Sequence, residues 1–255
     1  MNKIVKYVIL DILRNRIVLA YTFFLLIISV SAFTLEDNAT KGMLTLLHVI
    51  LIIVPLISLI FATIYMYNTA EFIELMVCQP LRRTRLLLSL SAGLALSLML
   101  AFLVGAAVPI LLFNWSAAAW TMILVGEVLT LVFVALAVLA AVITRDKAKG
   151  IGVALLLWFY FALIYDGIIL FLLFQFSDYP MEKATIAFSS LNPVDLGRIM
   201  ILLKLDISAM MGYTGAVFKD FFGSGLGMSY ALLMLALWIA LPLIMAVRRF
   251  NRKDL

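Results

Sequence analysis

Two carboxylates, Glu127 and Asp166, stand inside long apolar runs. An acid there is costly and marks either a conduction path or a bond between helices. Glu127 follows Trp120 by one or two helical turns, which suits a place near one headgroup region or a hydrogen bond across helices. Asp166, in Trp158-Phe159-Tyr160-Phe161-Ala162-Leu163-Ile164-Tyr165-Asp166-Gly167, lies deeper and faces a helix partner or an aqueous cleft. Proton or ion transport normally uses a relay of several such groups, and two acids with one histidine, His48, make a weak relay. The single histidine also excludes a Ser-His-Asp triad, a Cys-His pair or a His-based metal cluster within one chain. Met181, Met200, Met210 and Met211 offer thioethers of the kind that suit Cu(I). The thirteen methionines nevertheless recur at no fixed short spacing and read as filler of apolar packing, so no metal is expected here. No Gly-x-x-x-x-Gly-Lys-Ser/Thr loop occurs, and no polar segment could house a nucleotide-binding fold. If the work uses ATP, another subunit hydrolyses it, and this chain is not expected to be an enzyme.

A second chemistry-bearing segment is Asn68-Thr69-Ala70-Glu71-Phe72-Ile73-Glu74-Leu75-Met76-Val77-Cys78-Gln79-Pro80-Leu81-Arg82-Arg83-Thr84-Arg85. Glu71, Glu74 and Leu75 share one turn-spaced side, while Phe72, Leu75 and Met76 can turn to the membrane. Pro80 ends the helix, because it lacks an N–H and its ring clashes with the preceding turn. Arg82, Arg83 and Arg85 then suit anionic headgroups. The segment is either a contact for a soluble partner or a simple interfacial anchor. Thr144-Arg145-Asp146-Lys147-Ala148-Lys149-Gly150 is a short polar loop that suits a second contact with the same partner, through Arg145 and Lys147. Cys78 is the only cysteine, so no intramolecular disulfide can form.

The elements that carry these residues follow from composition. The chain of 255 residues is 66% hydrophobic and 13% charged, with a mean hydropathy of +1.18. A soluble domain has roughly 25% charged residues. The excess apolar surface must face lipid. Six runs reach the roughly 20 residues needed to cross a bilayer: Ile17–Phe33, Met43–Tyr67, Leu86–Leu112, Trp120–Ile143, Ile151–Phe174 and Met228–Val247. They lack strand alternation and must satisfy their own backbone hydrogen bonds, so they read as helices. The expected architecture is one all-α membrane domain over 1–255.

Basic residues set the orientation. Fourteen of the nineteen, from Lys3 and Lys6 through Arg82, Arg83, Arg85, Arg145 and Lys147 to Arg248, Arg249, Arg252 and Lys253, fall on the side of both termini. The positive-inside rule puts that side, and both termini, in the cytoplasm. The net charge of +5 therefore belongs to topology and membrane lipid, with no nucleic-acid partner expected. Val30-Ser31-Ala32 could pass for a signal cleavage site, although the preceding segment is long for one. Residues 2–14 place Ile4, Val8 and Ile12 opposite Lys3, Asp11 and Arg14, as in a helix lying in the interface, or they form a frayed start to the first span.

The outer segment 175–227 is neither plainly polar nor a span. Leu191-Asn192-Pro193-Val194-Asp195-Leu196-Gly197-Arg198 starts a helix, with Asn192 as cap, Pro193 in the first turn and Asp195 near the positive end of the dipole. Five glycines between Gly212 and Gly227 permit tight turns around Tyr213. Short helices folded back against the outer mouth of the bundle are expected.

Six spans, an interfacial N-terminal helix, a surface helix ending in Pro80-Leu81-x-Arg83 and a folded-back outer element before the sixth span resemble the ABC-2-type exporter permeases. The resemblance implies two permease copies and two cytoplasmic ATPase subunits that bind ATP and Mg. It makes Glu71, Glu74, Pro80 and Arg83 the coupling helix seated in the ATPase, with Arg145 and Lys147 the lesser contact. Leu191–Arg198, Gly212-Tyr213-Thr214-Gly215-Ala216-Val217-Phe218 and Trp158–Asp166 more narrowly resemble the permeases of nitrous-oxide-reductase maturation transporters. That branch implies a periplasmic accessory protein meeting Asn192, Pro193, Asp195 and Arg198, with Gly212 and Tyr213 in the outer gate. It also implies a role in assembling a copper–sulfur centre, with a sulfur species as cargo. The wider family often has glycine where Glu71 stands and lysine where Leu90 stands, which implies a different seating of the coupling helix or a preference for a particular ATPase. An exporter of a lipid, peptide or drug and a non-transporting membrane scaffold are the alternative readings.

Overall fold

The computed structural model describes residues 2–36, 38–77, 82–176, 182–205, 218–219, 221–223 and 225–252. Among these the regular structure is entirely helical. Six helices are long and apolar enough to cross a membrane: Arg16–Leu35, Ala39–Asn68, Arg83–Phe113, Ala117–Ile143, Lys147–Gln175 and Gly225–Asn251, the first to sixth spans. Each begins where a run of oil meets a polar punctuation mark. The Oδ1 of Asn15 and of Asn38, the Oγ of Ser116 and the Oδ1 of Asp146 accept from Ile17, Thr40, Ala119 and Lys149 N–H, closing four helix starts. The spans outrun the apolar stretches that announce them, reaching Arg83 and Asn251 at their polar ends. Hydropathy marks the hydrocarbon-facing part, whereas the backbone ladder continues into the interface.

The fourth span is the axis of the molecule. Buried over 72% of its central stretch, against 17% for the fifth, it packs on the second, third and sixth spans and on the outer helix Pro193–Lys204. Ala118, Ala119, Ala137, Ala140 and Ala141 let neighbouring backbones close in, as small residues do where lipid supplies no hydrophobic drive between helices. The poorly buried first, fifth and sixth spans form the periphery.

Two spans contain a single π-turn. In the third, Leu103–Ala107 widens just before Pro109, and the first span crosses there. In the fifth, Tyr160–Ile164 widens just before Asp166. Such turns are rare and re-aim the side chains that follow. The second span contains Pro55, which removes the N–H that would have reached Leu51 O. At the next carbonyl along, Trp158 Nε1 of the fifth span donates to Ile52 O at 3.1 Å. A neighbouring helix thus supplies a donor beside the proline break.

The N-terminal helix, Asn2–Leu13, buries Val8 and Ile12 against the third span. Its apolar side faces protein, while Tyr7 and Leu10 are exposed. A short helix, Ala70–Val77, follows the second span almost without a break. Its Ile73 is buried and Phe72 and Met76 pack on the core, leaving Leu75 exposed. Phe72 and Met76, read from the sequence as able to turn to the membrane, are half-buried against the core. Phe72 stacks on Tyr7 at 6.0 Å between ring centroids. On the other end of the bundle the outer helices Glu182–Ser190 and Pro193–Lys204 meet at a bend of 113°.

Candidate functional site

The sequence-derived residues gather at the two ends of the bundle. At the basic end, the second span runs into Ala70–Val77 through Thr69, whose N–H and Oγ1 both bond Tyr65 O. Tyr65 OH donates to Asp11 Oδ2 at 3.1 Å, fixing the N-terminal helix to the same point. Two further bonds reach across to the loop between the fourth and fifth spans. Tyr67 OH donates to Thr144 O at 3.2 Å and also bonds the Thr144 hydroxyl, and Lys147 Nζ donates to Asn68 Oδ1 at 2.8 Å. Gly150 makes room for this, since a Cβ there would collide with the Tyr67 ring. The two polar loops expected to meet one partner are therefore physically joined. Glu71 is exposed beside this joint and Arg145 is exposed above it. Thr84 and Asn251 bond each other at 3.0 Å, tying the start of the third span to the end of the sixth. Pro80 and the side chain of Glu74 lie outside the described residues, as do Gly212 and Tyr213.

At the opposite end, the fifth span and the outer helices form a charged cluster. Arg198 Nη1 lies 2.7 Å from Asp166 Oδ2 and 3.2 Å from Asp195 Oδ1. The π-turn builds this arrangement. Because Tyr165 N–H reaches back to Tyr160 O, Phe161 O loses its α-helical donor, and Asn192 Nδ2 takes that place at 2.9 Å. Asn192 Oδ1 meanwhile caps Val194 N–H, so one fully buried amide holds both helices. Tyr165 OH adds a bond of 2.7 Å to Phe188 O. Gly197 lets Pro193–Lys204 sit against the fourth span, where a Cβ would come within 2.7 Å of Val125 Cγ1. Asp166, Asp195, Arg198, Thr185 and Ser189 line a cavity of about 160 Å³ that is otherwise walled by apolar side chains, Phe218 among them.

One cation faces two carboxylates here. Burial pushes the Asp195 carboxyl above the usual carboxylate range, Asp166 pushes it the same way, and Arg198 and Asn192 oppose. Asn192, Pro193 and Asp195 are buried, so their described contacts lie within the chain. Sequence reasoning had assigned Asp166 to the bundle and Asp195 with Arg198 to the outer surface. The structure unites them. The available signal was charge: an arginine beside the apolar run Ile199–Leu203 and an acid in a span are natural partners. No such signal announced Tyr67, Thr144 or Trp158.

Glu127 stands apart. It lies ten residues into the fourth span, about 15 Å along the helix from Ala117. Neither carboxylate oxygen has a hydrogen-bond partner among the described residues, and the Tyr21 hydroxyl of the first span is unpartnered too. Among the described residues no three His, Cys, Asp or Glu side chains gather as a metal site would require.

Six apolar helices and an axial span packed through alanines define a multi-pass helical membrane protein. The chain belongs to the ABC-2 family: residues 69–255 match the family described as ABC-2 family transporter protein. Among curated proteins it is 31% identical to the "Probable ABC transporter permease protein NosY" of Pseudomonas aeruginosa, over 96% of this chain and 95% of that one. It is 28% identical to the protein of the same name from Stutzerimonas stutzeri, over 95% of each.

Proposed function

We propose that this chain is the permease subunit of an ATP-driven transporter in a bacterial inner membrane, with both termini in the cytoplasm. Two copies pair, and each receives a cytoplasmic ATPase that binds ATP and Mg. Ala70–Val77 is the coupling helix, presenting Glu71; Glu74, Pro80 and Arg83 are assigned to the same ATPase contact by sequence, with Arg145 and Lys147 the second contact. The observation that supports this most directly is the joint Tyr67–Thr144 with Lys147–Asn68. A push on either loop would move the second, fourth and fifth spans together. Closure of the ATPases then shifts the bundle between two packings, which requires their contacts to differ between the states. At the far end Asp166, Arg198, Asp195 and Asn192 act in the outer gate, to which Gly212 and Tyr213 are also assigned by sequence. The chain itself carries out no covalent chemistry.

The similarity to two proteins named as NosY permeases supports a narrower reading. In it the transporter moves a sulfur-containing species and serves maturation of the copper–sulfur centre of periplasmic nitrous oxide reductase, together with a periplasmic accessory protein that meets the outer helices.

Purification of the tagged native complex tests both levels. An ATPase subunit and a periplasmic protein should co-purify, and Glu71→Lys should weaken ATPase retention and ATP-dependent transport. Recovery of the chain with no ATPase would sink the transporter reading. An ATPase without effect on reductase maturation would leave export of a lipid, peptide or drug.

A further inference from the structure

At the basic end, between the last turns of the fourth and sixth spans, lies a pocket of about 590 Å³ whose lining includes Arg145, Arg248, Arg249, Arg252, Ile143 and Met245. All four arginines are exposed, and among the described residues the recorded ion pairs belong to Arg198 at the other end. Two helix C-termini converge here, and each contributes roughly half a negative charge. Four guanidinium groups therefore leave an excess of about three positive charges around one concavity. Topology alone would be met by basic residues spread along the interface; these surround a pocket. Its lower wall is apolar, with Ile143 56% and Met245 52% exposed at the ends of membrane helices. On the other side of the sixth span Ala246 and Phe250 are buried, so the arginine side is held outward by packing.

From this we propose that the pocket is a binding site for an anionic phospholipid of the adjacent leaflet. Guanidinium groups bond phosphate oxygens in a forked geometry, and Ile143 and Met245 receive the upper part of the acyl chains. The volume falls within the roughly 300–1,000 Å³ range of small-molecule sites. Free phosphate would leave the apolar wall uncovered. The bound lipid bridges the ends of the axial fourth span and the peripheral sixth span. The inference rests on the six-span arrangement and not on any cargo.

The test is native mass spectrometry of the full-length purified chain, titrated with phosphatidylglycerol or phosphatidylcholine. Wild type should hold phosphatidylglycerol at least tenfold more tightly. Each arginine near a membrane surface is worth roughly fivefold in affinity for anionic lipid, so R248Q/R249Q/R252Q should weaken the tightest site roughly a hundredfold. Arg85→Gln, in the other basic group of the same end, should change it less than twofold. If the triple variant does not purify as a folded species, Arg248→Gln and Arg249→Gln are measured singly, each expected to give a fivefold loss. Equal binding of both lipids by wild type, or a variant within threefold of wild type, overturns the proposal. So does inorganic phosphate stabilising the chain as well as phosphatidylglycerol does, which makes this a phosphate site. Retained lipid binding with lost ATPase binding also overturns it, and assigns the arginines to the protein interface.

Discussion

Arg198 Nη1 sits 2.7 Å from Asp166 Oδ2, a pair 32 residues apart in sequence that joins the fifth span to the outer helix Pro193–Lys204. The same guanidinium reaches Asp195 at 3.2 Å, so removing the cation and removing one acid are unequal changes. Arg198→Gln leaves two carboxylates facing each other without a counter-charge. Asp166→Asn leaves Arg198 still paired with Asp195. Breaking one side of a buried pair costs about 3–5 kcal/mol. Both partners here keep 30% of their side-chain surface, which reduces the expected loss to about 1–3 kcal/mol for Arg198→Gln and under about 1 kcal/mol for Asp166→Asn. Thermal unfolding in detergent measures the order, and Asp166→Asn as the more damaging change would contradict the arrangement.

The cluster also sets a pH dependence. Asp195 binds its proton more tightly in the folded chain than in the unfolded one, because burial and Asp166 outweigh Arg198 and Asn192. Between the ordinary aspartate value of about 4 and the raised folded value, the folded state therefore holds more protons, and stability falls as pH rises. Asp195→Asn fixes the neutral form. It should flatten the pH profile of unfolding above about pH 5 and leave the chain at least as stable at neutral pH. A wild-type profile that rises through the same window would refute this.

Much of the frame was legible from composition. Six spans could be placed from hydropathy because lipid demands unbroken apolar helix, and the cap at Asn192 sits where a short polar side chain precedes Pro193. The π-turns at Leu103–Ala107 and Tyr160–Ile164 were not legible, since a one-residue change of helical phase leaves hydropathy untouched. Joints between distant segments of the chain were hidden for a different reason. Tyr67 and Thr144 are 77 residues apart, and each is an ordinary residue for a membrane–water boundary. Asp166 was visible as an anomaly, but its partner was assigned to another surface because the 113° bend between the two outer helices cannot be read from a single sequence.

The joint at the basic end predicts a separation of stability from coupling. Tyr67→Phe removes the hydroxyl that bonds Thr144 and should cost about 1 kcal/mol of stability. Gly150→Val drives a side chain into the Tyr67 ring, an overpacking worth about 1–3 kcal/mol. In a reconstituted complex both should raise ATP hydrolysis per transport event, because the second span and the polar loop no longer move together. Trimming the ring in Tyr67→Ala/Gly150→Val should restore stability without restoring coupling. Restored coupling in that double variant would show that packing alone, and not the Thr144 bond, links the loops.

Glu127 yields the sharpest contrast between folding and work. Among the described residues its two buried carboxylate oxygens have no hydrogen-bond partner, and neither has the Tyr21 hydroxyl of the first span. A buried polar group left unsatisfied costs about 1–3 kcal/mol, so an apolar replacement of similar length should relieve it. Glu127→Leu is expected to unfold at a higher temperature than wild type, and Glu127→Gln at about the same one. A residue that destabilises its own fold in this way is kept where activity needs it. Transport by the reconstituted complex should therefore fall at least tenfold in Glu127→Leu and less in Glu127→Gln, which keeps a hydrogen-bonding side chain. Melting curves and transport rates on the same preparations decide the matter: a Glu127→Leu variant that melts lower than wild type would mean the carboxylate has a structural partner, and one that transports normally would remove Glu127 from the path.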